Sequence, residues 1–226
     1  MRNILTIFLV LIFITCLGYA QSEKGTFGIF GGLSMPQGEF GDDEFEDDAG
    51  FAKMGFCIGG EYIKALNSPG LSWVTSISVV LNGLDADPIG DGYSEETGED
   101  LSADAGSYIN VPIMTGLRYH TETSPTMQMY GIAQVGLNYM KYPTVELKSD
   151  YGSADIEIDA TTSFGFAIGG GIILNNKFNI GLRYLTFGDQ DVDGKIKIPE
   201  QEDEDIESEF SLSFILITVG IPLGGK

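Results

Sequence analysis

Asp189, Asp191, Asp193, Gly194 and Glu200 fall on the spacing D-x-D-x-D-G-x5-E, with Ile196 at the eighth place. In a calcium loop of that pattern the alternate carboxylates converge on one ion. Glycine permits the sharp turn, and the last glutamate closes the shell with two oxygens. The segment is therefore a candidate calcium site, with an affinity on the order of submillimolar to millimolar. Pro199 beside the last ligand and the strand-like alternation of Lys195-Ile196-Lys197-Ile198 keep a second reading open, a solvated acidic loop with diffuse counterions. Other chemistry is scarce. The only histidine, His120, stands beside Thr121 and Glu122 in a segment that reads as a short turn. The long acidic segments thus lack a histidine base for a Ser-His-Asp arrangement. The glycines alternate through strands instead of opening a helix, and no Cys/His cluster has metal-ligand spacing. The expectation is a protein without catalytic residues, with calcium as its one candidate cofactor. Cys57 reads as a small buried filler.

Lys53, Glu61, Arg118 and Arg183 matter for a different reason: each interrupts a face otherwise built from small or amide side chains. Placing them requires the elements that carry them. The clearest is 127–140, where Met129, Ala133, Val135, Leu137 and Tyr139 alternate with Gln128, Gln134, Gly136 and Asn138. The same period of two runs through 51–63, 71–82, 108–119, 162–174 and 178–187, and more loosely through 25–34 and 209–221. Period two marks strands with two unlike faces. Each segment has about the 9–11 residues that a tilted strand needs to cross a bilayer. The reading is all-β: an eight-stranded antiparallel up-and-down transmembrane barrel.

The connections alternate too. Segments 64–70, 120–126 and 175–177 are short, whereas 35–50, 83–105, 141–160 and 188–208 are long. Short turns at one end and long loops at the other are characteristic of bacterial outer-membrane barrels. The net charge is −21, with 33 acidic residues against 12 Lys plus Arg. Of those acids only Glu23, Glu61 and Glu122 lie outside the four long segments, counting Glu209 with the last. An acidic chain thus resolves into a near-neutral wall and one intensely negative end. Such a field excludes nucleic acid as a partner. Within the long segments, 144–158 keeps period two about a turn at 149–153, which predicts a hairpin beyond the membrane. Residues 85–104 have little periodicity and read as a mobile loop.

Arg2 and Asn3 precede an apolar run from Ile4 to Leu17, and Gly18-Tyr19-Ala20 meets Gln21. That order is a secretory signal peptide over 1–20, leaving 21–226 as the barrel domain. A soluble lipocalin-like binding barrel would share the strand count and the signal, with its apolar face turned inward. The many glycines and serines of the polar face favour its being the inner one, where eight strands converge. In that frame Lys53, Glu61, Arg118 and Arg183 form a lumen polar network, since buried charges must pair or stay hydrated. Glu61 and Arg118 are expected to meet beside the small Ser/Gly face of the third strand. A side-chain plug is the main reading and a narrow pore for small solutes the alternative. The expected partners are outer-membrane lipid and divalent cations at the acidic loops, for a monomer with both termini in the periplasm.

Gly31-Gly32-Leu33-Ser34-Met35-Pro36-Gln37-Gly38 followed by Phe40 resembles the opening of small outer-membrane β-barrel proteins of the outer membrane protein beta-barrel domain, or porin, family. Tyr108-Ile109-Asn110-Val111-Pro112-Ile113 with Gly116-Leu117-Arg118-Tyr119 is similar to that family's middle strand, and Gly181-Leu182-Arg183-Tyr184 to a later one. The resemblance covers 25–223 and implies an OmpA/OmpX-type barrel in the outer membrane of a Gram-negative-type bacterium. One departure is the ending Ile221-Pro222-Leu223-Gly224-Gly225-Lys226, where such chains end on an aromatic residue.

Overall fold

A computed structural model of the chain describes residues 25–43, 49–98, 102–124, 126–149, 152–197 and 204–223. The proposed signal peptide over 1–20 lies outside these residues. Eight long strands form the wall: β1 (Thr26–Gln37), β2 (Ala52–Ala65), β3 (Leu71–Leu84), β5 (Ser107–Ser124), β6 (Met127–Lys141), β9 (Thr161–Leu174), β10 (Phe178–Lys197) and β11 (Glu204–Leu223). Each pairs antiparallel with its sequence neighbour in the wall, and β11 returns to β1 from Phe27↔Leu223 to Gln37↔Ser213. No strand of the wall is left with a free edge, so every backbone group can be paired within it. At the other end of the strands three further elements lie among the long connections: β4 (Ser102–Ala105), β7 (Val145–Ser149) and β8 (Gly152–Ile158).

Alternation sorts the side chains as a period of two requires. Phe164, Phe166 and Ile168 stand outward at 66%, 52% and 59% exposure, and Phe56, Ile58, Leu182 and Val219 are similarly exposed. Ser34, Ser76, Asn82, Asn110, Gln134 and Asn138 on the opposite parity are buried inside. The apolar face is therefore the outer one, and the lipocalin-like reading, which needs it inside, is overturned.

Glycine serves the narrow bore at specific points. A methyl group on Gly116 would run into the Ala133 carbonyl oxygen, and one on Gly136 into that of Ile113. These two glycines lie on adjacent strands, where the backbones approach too closely for a Cβ. Gly116→Ala is expected to lower barrel stability by about 1–3 kcal/mol, the usual range for overpacking. Urea unfolding in lipid vesicles checks this, and a change within about 0.5 kcal/mol would show that the strands can part at no cost.

The long-loop end is more ordered than its charge suggests. Val145–Ser149 and Gly152–Ile158 form the expected hairpin, β7 against β8. It does not rise straight from β6 and β9; β8 pairs with the extension of β10, from Gly194↔Ile158 to Lys197↔Asp155, and β7 with β4. The mobile loop expected over 85–104 is instead helix α1 (Asp87–Thr97) followed by β4. Pro88 in the first turn and Gly98 in the left-handed conformation after the last bound this helix where periodicity gave no signal. What holds the region is tertiary: Phe51, Ile89, Val145, Leu147 and Ile156 make a second small core.

Candidate functional site

The inner face of the barrel is filled in layers. Near the short-turn end, β2 carries Glu61 inward, β5 carries Arg118 and β10 carries Arg183. All three are buried, with Arg118 at 2% exposure. Arg118 Nη1 donates to Glu61 Oε1 at 3.1 Å, and Arg183 Nη2 donates to Oε2 at 2.5 Å. Asn179 Nδ2 also donates to Oε1 at 3.4 Å, while Tyr130 Oη donates to Asn179 Oδ1 at 2.9 Å. The Arg118 guanidinium lies 3.6 Å from the centroid of the Tyr130 ring. Ser76 and Ser72, opposite Glu61 and Arg118 on the intervening β3, are small enough to let the two meet across that strand. One carboxylate is thus shared by two guanidiniums from strands on different sides of the bore.

Lys53 is not part of this cluster. It stands eight residues up β2 from Glu61, about 26 Å at the usual rise per strand residue. Its Nζ meets Asp85 Oδ1 at 3.0 Å, with half of its side chain exposed. The register shift between Ala52 and Gly55 breaks the alternation that would have carried it inward.

Above the charged layer come amide and hydroxyl pairs. Gln134 Nε2 donates to Ser76 Oγ at 3.2 Å, Asn138 Nδ2 to Asn110 Oδ1 at 2.8 Å, and Ser34 Oγ to Asn82 Oδ1 at 3.1 Å. At the long-loop end the inner face, expected to be the polar one, becomes apolar. Phe40 projects from a 3-10 turn (Gly38–Gly41) into a set of rings. It stacks on Phe210 at 5.9 Å, meets Tyr108 edge-on at 5.2 Å and lies 6.4 Å from Phe214. Tyr142 bridges Tyr108 and Phe210. Tyr108 Oη donates to the Gly50 carbonyl at 2.8 Å, and the Ser211 amide donates to Glu39 Oε2 at 2.6 Å. Burial of the Tyr142 hydroxyl pushes its pKa above the usual range. The sequence signal for this layer was faint. In 209–221 both parities are apolar, because Phe210, Leu212, Phe214 and Leu216 fill the bore while Ile217, Val219 and Ile221 face outward.

Of the candidate calcium ligands, Asp189, Asp191 and Asp193 all lie in β10, and Glu200 lies outside the described residues. Asp189 Oδ1 accepts a hydrogen bond from Ser211 Oγ at 2.7 Å. Gly194 is not at a turn: it continues the strand, opposite Ile206 of β11 and Ile158 of β8. Two ladders hold the backbone extended there, so the loop that the spacing would build is replaced by strand. The register sets Asp191 opposite Glu209 and Asp193 opposite Glu207. Among the described residues, no group of His, Cys, Asp and Glu is arranged to hold a metal ion.

An apolar outer wall, a closed antiparallel meander and short turns at one end only define a membrane-spanning β-barrel of the outer-membrane class. The chain belongs to the outer membrane protein beta-barrel domain family, whose model matches residues 6–215. The solved structure of the outer membrane protein OprG from Pseudomonas aeruginosa is similar, with a TM-score of 0.53 at 14% identity. That match covers 90% of this chain and 98% of OprG. A major outer membrane protein from Thermus thermophilus gives 0.55 at 11% identity, covering 89% of this chain and all of the other. At such identities the likeness is one of fold. No curated protein matches the sequence significantly.

Proposed function

We propose that this barrel is a closed, non-enzymatic monomeric scaffold that presents acidic loops on the cell surface for contact with cations or a partner. In this reading residues 1–20 are removed as a signal peptide, and the short turns and both ends of the mature chain face the periplasm. The observation that carries it is the shared carboxylate. Glu61 ties β2 to β5 and β10 across the bore, and an eight-stranded lumen is just wide enough for side chains to fill. The aromatic layer at the far end is a second barrier. Planar-bilayer recording tests closure: no resolved channels are expected from the native barrel. Steady, well-defined channels that Arg118→Ala enlarges or abolishes would replace the scaffold with the narrow pore.

The opposed acids of β10 and β11 support the cation contact. Like charges directly across a ladder repel, and the lysines placed near them by sequence are only Lys195 and Lys197. Divalent ions would relieve that repulsion with an affinity on the order of millimolar, in the range of extracellular calcium modules. Calorimetry with calcium chloride on the refolded barrel is expected to give heat that Asp191→Asn reduces. Heat that is absent, or untouched by the substitution, leaves only diffuse counterions.

A further inference from the structure

We propose that the long-loop part of β11 is a docking edge for a basic, extended segment of a partner protein, which adds to the sheet as one more strand. β1 stops pairing with β11 at Gln37↔Ser213. β11 nevertheless stays in the sheet as far as Glu204, through its ladder with β10 from Asp189↔Ser211 to Ile196↔Glu204. Beyond Ser213, therefore, β10 holds one edge of β11, and among the described residues no strand pairs with the other. The inference deepens the surface-contact reading above and rests on it, since it names the class of partner that the acidic end would meet.

Successive residues of a strand turn their N–H and C=O groups to opposite edges. Ser211 shows which residues face the open one: its amide donates to Glu39 Oε2 at 2.6 Å, from the turn that follows β1 and away from β10. From Ser211 to Glu204 the pairing of β11 runs without a skip. Glu209, Glu207 and Asp205 thus present their backbone groups to the same side as Ser211, while Ser208 and Ile206 turn theirs to β10. Glu39 already does for one outward amide what a peptide carbonyl would do for the next three. In strand addition such a row of main-chain groups supplies affinity, and alternate side chains supply specificity. The sign of the partner follows from the sequence. Glu204, Asp205, Glu207 and Glu209 are acidic, and no Lys or Arg lies between 198 and 209. Like charges facing one another across a ladder are destabilising, so the edge rejects a second copy of itself and selects a strand bearing lysine or arginine. The opposite edge of the outer sheet is a poorer candidate, because β4 spans only Ser102–Ala105 and packs beside α1.

The probe is a short synthetic peptide of alternating lysine and threonine, added to the full refolded barrel in nanodiscs without divalent ions. In the free barrel amide exchange is expected to be fast at Asp205, Glu207 and Glu209 and slow at Ile206 and Ser208. The peptide is expected to slow the first three about tenfold, the scale of one backbone hydrogen bond, and to leave the other two unchanged. Glu207→Pro removes one outward N–H without touching the β10 ladder, at an edge position where proline is tolerated. Glu207→Gln removes the same charge and keeps the donor. Proline is expected to weaken peptide binding about tenfold and glutamine only about two- to threefold. A peptide that does not bind, or protection without the alternation, overturns the docking edge; equal weakening by the two variants reduces it to charge attraction. Slow exchange at Asp205, Glu207 and Glu209 before any peptide is added would show that the chain covers this edge itself. Exchange that slows with barrel concentration alone would assign the edge to a second copy. Nanodiscs leave both ends of the barrel open, so these outcomes do not depend on which way it lies in a cell; protease access to the long loops on intact cells tests the surface reading separately.

Discussion

Glu61→Ala is expected to destabilise the barrel by about 3–5 kcal/mol, the cost of breaking a buried ion pair by removing one partner. The effect is at the upper end because two cations depend on one carboxylate. Without it, Arg118 and Arg183 remain buried at 2% and 5% exposure with like charges facing one another. Equilibrium unfolding in lipid vesicles, followed by the single tryptophan Trp73 on the outer face, measures it. A second arm separates the pairing from the mere presence of charge. Replacing Glu61, Arg118 and Arg183 together by apolar residues of similar size is expected to recover most of the loss, since buried ion networks rarely outperform good packing. A loss of less than about 1 kcal/mol in Glu61→Ala would mean that the guanidiniums are hydrated, and the lumen there wet.

The bore is built in layers with different physics. The charged layer near the short turns is directional and sensitive to the loss of a single group. The aromatic layer near the long loops is held by packing and by two hydrogen bonds, from the Tyr108 hydroxyl to the Gly50 carbonyl and from the Ser211 amide to the Glu39 carboxylate. It also joins the wall to the outer sheet. Leu84 and Ile158 pack against both the lumen core and the small core beneath β4, β7 and β8. Phe51, buried in that small core, holds a left-handed backbone at φ 50°. Its carbonyl accepts the Asp85 amide at 2.7 Å, which fixes the entry to α1. Order in an acidic surface region thus originates in the barrel mouth.

The wall was legible because burial on one face and lipid on the other impose a strict period of two. Each of the eight segments read from alternation became a strand; β10 runs on to Lys197 at the long-loop end, and β5 to Ser124 at the short-turn end, so that His120, read as part of a turn, lies in a strand. Legibility failed wherever that constraint lapsed. In β11 the inner face is apolar as well, so alternation could not announce Phe210, Leu212, Phe214 and Leu216 as a plug. The helix at Asp87–Thr97 has weak amphipathicity, and its position depends on contacts with β4 and Ile89's core that no local pattern encodes. Lys53 misled because a register shift of the kind found beside Ala52 leaves no trace in composition. The calcium spacing meets a different limit. A motif states which residues follow one another, but the turn it needs at Gly194 competes with two strand ladders, and the ladders win. By contrast Glu61, Arg118 and Arg183 carried a usable physical signal: charges on a face of glycine and serine have nowhere to go but to each other.

Phe40→Ala is expected to cost about 3–5 kcal/mol, the range for a fully buried phenylalanine, and to act mainly at one end of the molecule. Phe40 is wholly buried and touches rings from β5 and β11 while standing on neither. Removing it leaves a void among Tyr108, Phe210 and Phe214 that rigid strands cannot collapse to fill. The connection from β1 to β2 loses its anchor with it. Gly50 donates to the Glu39 carbonyl and Phe51 to that of Asp42, so those two amides report on the anchor directly. Hydrogen exchange in vesicles is expected to quicken at Gly50, Phe51 and Asp85, with protection retained around Gly28 and Glu61, which pair across β1 and β2 near the short turns. Faster exchange everywhere by the same factor would show one cooperative barrel instead of two separable layers. No change at Gly50 would show that the loop is held without the ring, and the aromatic layer would then be packing alone.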